Sequence, residues 1–351
     1  MSGDTVRIGI EVRAAGTFRE MAQRVAELEQ AGLDLVTVRE AYSFDAVSQL
    51  GYLACATERV QITTGILPIY SRTPANLAMT AAGLDYVSDG RFTLGIGASG
   101  PQVVEGFHGV RYDAPLARTR EVVEICRQVW RRERLSYAGR HHQIPLPPDL
   151  GTGLGKPLKL IDQPVRDRIP ITIAATGPRN VALAAEIAEG WEPIFFHPEK
   201  AADAWGAALA EGRARRDATL PELDIAVAAP TAITDSPEPH LTAVRPRLAL
   251  YIGGMGARGR NFYNDLARRY GYEAEATRIQ DLYLDGHVRE AAGAVPEDLV
   301  RAVTLIGPRT LIADRVKAFA EAGVTTLTVQ PLSSSHTDHL RDIEYLKELA
   351  G

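Results

Sequence analysis

Eight apolar, β-branched segments, each followed by residues at helical spacing, run through 351 residues with no break in composition between them. Alternating strand and helix signals imply parallel strands. Eight such units over this length favour a closed α/β barrel, the (β/α)8 or TIM architecture, over a doubly wound sheet. One domain is expected over 1–351, with excursions at about 131–167 and 240–293. The internal strands read as apolar, so helices are expected to cover both faces of the sheet.

The first strand is expected over 6–12, where β-branched residues concentrate. Thr17 then caps a helix with Met21, Val25 and Leu28 on one face, and Gly32 stops it. A strand over 33–38 leads to a helix over 45–57. The third strand, 60–66, is followed by Thr73 and Pro74, a cap and a first helical residue, for a helix ending near Asp89-Gly90. A strand over 91–97 and a helix over 116–130 complete four units. Residues 131–167 are rich in proline and glycine and carry no period. Their run Gly151-Thr152-Gly153-Leu154-Gly155-Lys156-Pro157 lacks both the hydroxyl residue after lysine and the preceding strand that a phosphate loop needs. Alternation resumes with strands over 169–175, 190–196 and 223–234, and helices over 178–189 and 198–215. A helical stretch over 240–293 contains Gly253-Gly254-Met255-Gly256, and helix 310–322, strand 324–329 and helix 337–349 close the chain.

Hydrophobic residues at 45%, charged residues at 24% and a net charge of −5 are those of an ordinary globular protein and give no sign of a nucleic-acid partner. No apolar run reaches membrane-spanning length and the N-terminus lacks the pattern of a secretory signal, so a cytoplasmic protein is expected. Cys55 and Cys126 each fall inside a helix and are expected to be buried packing residues. No metal site is expected: His141 and His142 are adjacent, and no His-x-x-x-His or Glu-x-x-His pattern occurs. A Gly-x-Ser-x-Gly nucleophile turn is likewise missing.

In a barrel the chemistry sits on the loops at the carboxyl ends of the strands. After the second strand come Arg39, Glu40, Tyr42, Ser43, Phe44 and Asp45; Glu40 is expected to face the mouth, and Asp45 could cap the next helix. The third strand ends in Gly65-Ile66-Leu67-Pro68, an apolar edge able to support a flat ring. After the fourth, Gly95-Ile96-Gly97-Ala98-Ser99-Gly100 matches G-x-G-x-x-G. A dinucleotide fold would place that motif at the first βα turn, whereas three units precede it here, and the acidic residue about twenty positions on, Glu121, lies inside a helix. The loop still allows close approach of a cofactor, and Glu105, His108 and Tyr112 follow it. After the fifth strand, Ala174-Ala175-Thr176-Gly177-Pro178-Arg179 enters a helix at once, offering free amides and a positive dipole end to an anion.

At these residues the sequence resembles the luciferase-like monooxygenase superfamily, in its F420-dependent branch related to methylenetetrahydromethanopterin reductase. The resemblance is carried by Glu40-Ala41-Tyr42-Ser43-Phe44-Asp45-Ala46, Thr64-Gly65-Ile66, Arg72-Thr73-Pro74, Ser88-Asp89-Gly90-Arg91-Phe92, the stretch from Leu94 to Gly106, Ala174 to Arg179, and Tyr251-Ile252-Gly253-Gly254-Met255-Gly256. It implies a (β/α)8 barrel with an insertion near strand seven, a homodimer or higher homo-oligomer, and coenzyme F420 at the mouth. It also implies a cis peptide between Gly65 and Ile66 against the deazaflavin ring. Gly97, Ala98, Ser99 and Gly100, with Ala174, Ala175, Thr176, Gly177, Pro178 and Arg179, would hold the cofactor. The histidine that some relatives place beside the ring is replaced by Glu40, and Ser99-Gly100-Pro101 stands where sugar-phosphate dehydrogenases of this branch carry an acid, which argues against sugar-phosphate oxidation. The expected activity is hydride transfer between the deazaflavin C5 and a small imine, enone or pterin-like substrate, with Glu40, Tyr42, His108 and Tyr112 as the proton relay. FMN is the alternative cofactor, in a luciferase-like monooxygenase, and a non-catalytic ligand-binding barrel is the remaining alternative.

Overall fold

Side chains on a strand alternate between two faces, and in this barrel the two faces differ sharply in chemistry. The computed structural model describes residues 6–13 and 16–351. Its barrel strands are β1 (Arg7–Val12), β2 (Leu35–Val38), β3 (Gln61–Thr64), β4 (Phe92–Gly97), β5 (Ile171–Ala174), β6 (Gly190–Glu192), β7 (Asp224–Ile233) and β8 (Thr326–Pro331). Each pairs in parallel with the next, and β8 returns to β1 through Arg7↔Thr326 to Ile10↔Val329, closing the ring. The chain therefore forms the (β/α)8 barrel that its alternation predicts.

Ile8, Ile10, Val36, Val38, Ile62, Phe92, Leu94, Ile96, Ile171, Ile173, Trp191, Leu327 and Val329 face outward and are buried under the helices. The inward positions are a correction to the sequence reading, which takes the strands as apolar on both faces. Arg7, Thr37, Gln61, Thr63, Thr93, Thr172, Asp224, Thr326 and Thr328 line the lumen around a cavity of about 40 Å³. Arg7 and Asp224 pair at 2.5 Å at its amino-terminal end.

Local signals account for the helix starts. Thr17 and Glu20 form a reciprocal capping box, Asp45 accepts from the Ser48 amide at 2.7 Å, and Thr73 accepts from the Asn76 amide with Pro74 as first helical residue. Arg91 bonds the carbonyls of Ala54, Thr57, Val60 and Ser88, tying the Ser88-to-Phe92 turn to two helices and a strand.

Residues 131–167 hold one short hairpin, Tyr137–Ala138 with Gln143–Ile144, and a 3-10 turn at Pro148–Leu150. Buried carboxylates fasten this excursion. Glu121 accepts from the Arg140 and His141 amides and from His142 Nδ1 at 2.8 Å, which gives it a structural role unrelated to any ribose. Fully buried Asp85 takes Arg166 Nε at 3.1 Å on both oxygens. The insertion after β7 runs through the helices Glu238–Ala249, Phe262–Arg269, Glu273–Leu284, Val288–Gly293 and Glu297–Ala302. It ends in a short strand, Leu305–Gly307, that lies beside β7 and that the sequence reading does not foresee. Cys126 is buried but Cys55 is exposed, contrary to expectation. Among the described residues no helix is long and apolar enough to cross a membrane.

Where β3 meets β4 the backbones touch. Thr64 Oγ1 accepts from the Gly95 amide and donates to the Gly95 carbonyl, both at 2.8 Å, and a Cβ on Gly95 would lie 1.7 Å from the Thr64 carbonyl oxygen. Gly95→Ala is expected to lower unfolding free energy in urea by about 3 kcal/mol or more, since the obstacle is backbone and cannot swing aside.

Candidate functional site

The carboxyl-terminal end of the lumen is where the inward series turns ionic. Arg39 follows β2 in the parity of Leu35 and Thr37, and all three line the lumen. Its Nε meets Glu11 Oε2 of β1 at 2.5 Å and its Nη2 meets Glu192 Oε1 of β6 at 2.8 Å. Its Nη1 donates to the Gly65 carbonyl at 2.9 Å. Buried Gln330, at the end of β8, donates to Glu11 Oε2 at 2.6 Å, and Arg13 approaches Glu11 Oε1 at 3.2 Å. One guanidinium thus joins four strand ends across the mouth.

The two carboxylates respond differently to the same partner. Burial pushes Glu11 upward, but Arg39, Gln330 and Arg13 outweigh it and hold the carboxyl at about 2. Glu192 lacks the additional donors, and burial raises it above the ordinary carboxylate range in spite of Arg39. The mouth therefore contains a firmly ionised acid and one that takes up a proton more readily.

Beside this network lies an apolar floor. The Gly65–Ile66 peptide is cis, as the resemblance implies, and Leu67–Pro68 continues β3 alongside β4. A Cβ on Gly97 would stand 2.7 Å from Ile66 Cδ1, so glycine keeps that floor open. The small-residue loops rise from β4 and β5 next to it. Ser99 adopts φ 58°, and Gly100 and Gly177 begin the helices Pro101–Gly106 and Pro178–Ile187 with no side chain bonded to their first amides. Neither glycine has an atom within 4 Å of where a Cβ would be. Ala175 is buried, its amide reaching the Glu192 carbonyl at 3.3 Å, while the Thr176 carbonyl accepts from Trp205 and Arg269. His108 Nε2, just after the helix Pro101–Gly106, and Asn180 Oδ1, in the first turn of the helix Pro178–Ile187, are buried with no partner in the protein. Open glycines and uncapped amides on this pair of loops, with two orphaned polar atoms on the segments that follow them, fit a bound cofactor with a polar tail. The Arg179 side chain lines a separate outer groove of about 320 Å³ with Arg120, Glu186 and Arg215.

The expected relay is only partly assembled. Glu40 is the main correction: it follows Val36 and Val38 in facing away from the lumen, where Arg72 grips it at 2.7 and 2.9 Å and the Ala46 amide donates to it. Tyr42 is 63% exposed on the rim, 6.4 Å from the Phe107 ring, which in turn stands 5.3 Å from His108. Tyr112 is well placed. Its ring packs 5.3 Å from Tyr70, its hydroxyl lies 3.4 Å from the Ser99 carbonyl, and burial raises its pKa. Tyr263, from the insertion, brings a half-buried ring to 4.8 Å from Tyr251, and burial raises its pKa strongly. Sequence reasoning misses Glu11, Arg39, Glu192, Tyr263 and Gln330; strand parity alone marks all of these except Tyr263.

Barrel, floor and paired loops define a class. The luciferase-like monooxygenase family profile matches residues 4–326, and the chain belongs to that family. A Mycobacterium tuberculosis protein with the provisional name coenzyme F420-dependent oxidoreductase Rv3520c is 42% identical over 330 residues, 93% of each chain. The 5,10-methylenetetrahydromethanopterin reductase of Archaeoglobus fulgidus is 27% identical over 91% of this chain and 92% of its own. Among solved structures, the coenzyme F420 dependent tetrahydromethanopterin reductase of Methanopyrus kandleri superposes with a TM-score of 0.80 over 98% of both chains; at 21% identity that likeness speaks to the fold.

Glu11 has a folded pKa of about 2 against an ordinary 4.5. A depressed carboxyl stabilises fully above its unfolded value and progressively less as pH falls through that window. Glu11→Gln is expected to lose about 3 kcal/mol at neutral pH and to show a much smaller deficit at about pH 3, measured by urea denaturation.

Proposed function

We propose that the protein is an F420-dependent oxidoreductase that reduces or oxidises a small organic substrate with an imine, enone or pterin-like group. The observation that carries this reading is the pairing of two uncapped small-residue loops, after β4 and β5, with the apolar floor of Gly65, Ile66 and Gly97. When bound, a deazaflavin supplies a hydride donor or acceptor at C5. Gly65, Ile66 and Gly97 seat a flat ring; Ala98, Ser99, Gly100 and Ala174 through Arg179 line the polar tail, which takes its hydrogen bonds from the free backbone amides among them. Arg39 holds the Gly65 carbonyl at 2.9 Å and so fixes the floor from below. Tyr112 and His108 remain in the proton relay, with Tyr263 and Glu192 joining them in place of Glu40 and Tyr42. The rim aromatics and the insertion restrict water at the mouth.

Two copies assemble through the outer faces of the helices Ala46–Ala56 and Pro74–Val87. The first contains no charged residue, and the only one in the second, Asp85, is fully buried. Tyr52, Met79, Tyr86 and Val87 are exposed there, an uncharged patch of a kind that monomeric surfaces avoid. Cys55 lies on this same surface.

Titration of the purified protein should quench F420 fluorescence saturably and give no FMN complex; tight FMN binding without F420 affinity would overturn the cofactor assignment in favour of a flavin monooxygenase. Gly97→Val, which fills the floor against Ile66, should weaken F420 binding about tenfold or more. Gly83 has open space around its Cβ, so Gly83→Glu should leave the monomer folded and shift sedimentation from dimer to monomer. A wild-type protein that sediments as a monomer would remove the interface.

A further inference from the structure

The helix Glu238–Ala249 brings one more cation to the mouth. Arg247 Nη1 donates to Gln330 Oε1 at 2.9 Å, and its guanidinium lies 5.9 Å from the centre of the Tyr251 ring. Both contacts are with neutral groups, and among the described residues no carboxylate comes within ion-pair distance of it. Gln330 is itself oriented from both sides, accepting from Arg247 and donating to Glu11.

The charge balance around it is uneven. Among the described residues, Arg13 and Arg39 take up Glu11 and Glu192 in ion pairs, Gln330 also engages Glu11, and Arg247 is left without an acid of its own. A partly buried guanidinium stays ionised and presents a rigid fork of donors suited to a carboxylate. Burial works against the Arg247 charge, Tyr251 and Glu11 offset it only in part, and Arg13 and Arg39 add to the strain. The cofactor cradle lies across the ring, after β4 and β5, whereas Arg247 stands over β8 and β1; an anionic tail held in that cradle leaves Arg247 unpaired.

Aromatic surface adjoins the cation. Tyr251 packs edge-on against Tyr263 at 4.8 Å and against Phe195 at 5.2 Å. These rings give the cation an aromatic neighbour against which a flat molecule can lie.

We propose that Arg247 binds a carboxylate on the substrate, so that the substrate is an organic acid with a flat, unsaturated body. This rests on the oxidoreductase reading for its chemistry, but the anion site stands on its own geometry. With both Glu11 and Glu192 ionised the surplus is a single positive charge, which matches a carboxylate monoanion better than a phosphate dianion. The acid group anchors at the β8 side while the unsaturated part reaches toward the floor, with Tyr251 and Tyr263 alongside.

Calorimetric titration of the purified protein with cinnamate, 3-phenylpropionate, cinnamamide and inorganic phosphate tests this, with Arg247→Gln and Arg247→Lys as variants and F420 affinity measured in parallel. The acids should bind at least about tenfold more tightly than the amide. Arg247→Gln should erase that preference, and Arg247→Lys should keep part of it. Equal binding of acid and amide, no binding of either acid, a preference that survives Arg247→Gln, or phosphate binding more tightly than the acids would each overturn the assignment. Loss of F420 affinity in the wild-type protein with the acid preference intact would instead sink the cofactor reading and leave the carboxylate site standing.

Discussion

Arg39 is the residue on which the mouth of this barrel depends. Its guanidinium spans Glu11 on β1, Glu192 on β6 and the carbonyl of Gly65 after β3, so that the two strands beside its own and one across the ring share one charge. Buried ions cost desolvation energy, and the cost is offset only where geometry and extra hydrogen bonds are good. Glu11 has that support from Gln330 and Arg13; Glu192 does not. The outcome is an asymmetric pair of acids under the floor, one fixed in its charge and one closer to proton exchange. Removing Arg39 would leave both without their main counterion, so the position of the floor and the charge balance of the mouth depend on the same side chain.

The polar lumen explains how such a network can exist. Threonines at 37, 63, 93, 172, 326 and 328 line the barrel where a packed aliphatic core is more usual, and their hydroxyls provide hydrogen-bonding capacity up to the ionic layer. Stability comes instead from the outward faces, where isoleucine, leucine, valine and tryptophan meet the helices. Separating the two tasks leaves the carboxyl-terminal mouth free for chemistry while the outer shell holds the ring.

Much of the fold was legible because its signals are local. Thr17, Asp45 and Thr73 cap the helices they precede, and the eight strands lie where β-branched runs place them. The two uncapped helix starts proposed to hold the cofactor are legible too, since Gly97 to Gly100 and Ala174 to Arg179 combine small residues with the first turn of a helix. Distance from the strand end points Glu40 at the mouth, whereas parity does not: Leu35, Thr37 and Arg39 line the lumen, and Glu40 bonds Arg72. The same period-two count would have found Glu11, Glu192 and Gln330. Arg247 and Tyr263 had no such signal, because they reach the mouth from an insertion whose path is set by tertiary packing. Cys55 was misjudged for a related reason: its helix carries no charged residue, so composition does not show which face is outside.

The central claim is that a deazaflavin ring rests on Gly65, Ile66 and Gly97 above Arg39, with its polar tail on the loops after β4 and β5. A crystal structure of the F420 complex tests it most directly. The ring should lie flat on that floor, with tail phosphate oxygens within hydrogen-bond distance of amides between Ala98 and Gly100 or between Ala175 and Arg179. A cofactor bound elsewhere on the barrel, or with its tail directed over β7 and β8, would contradict it.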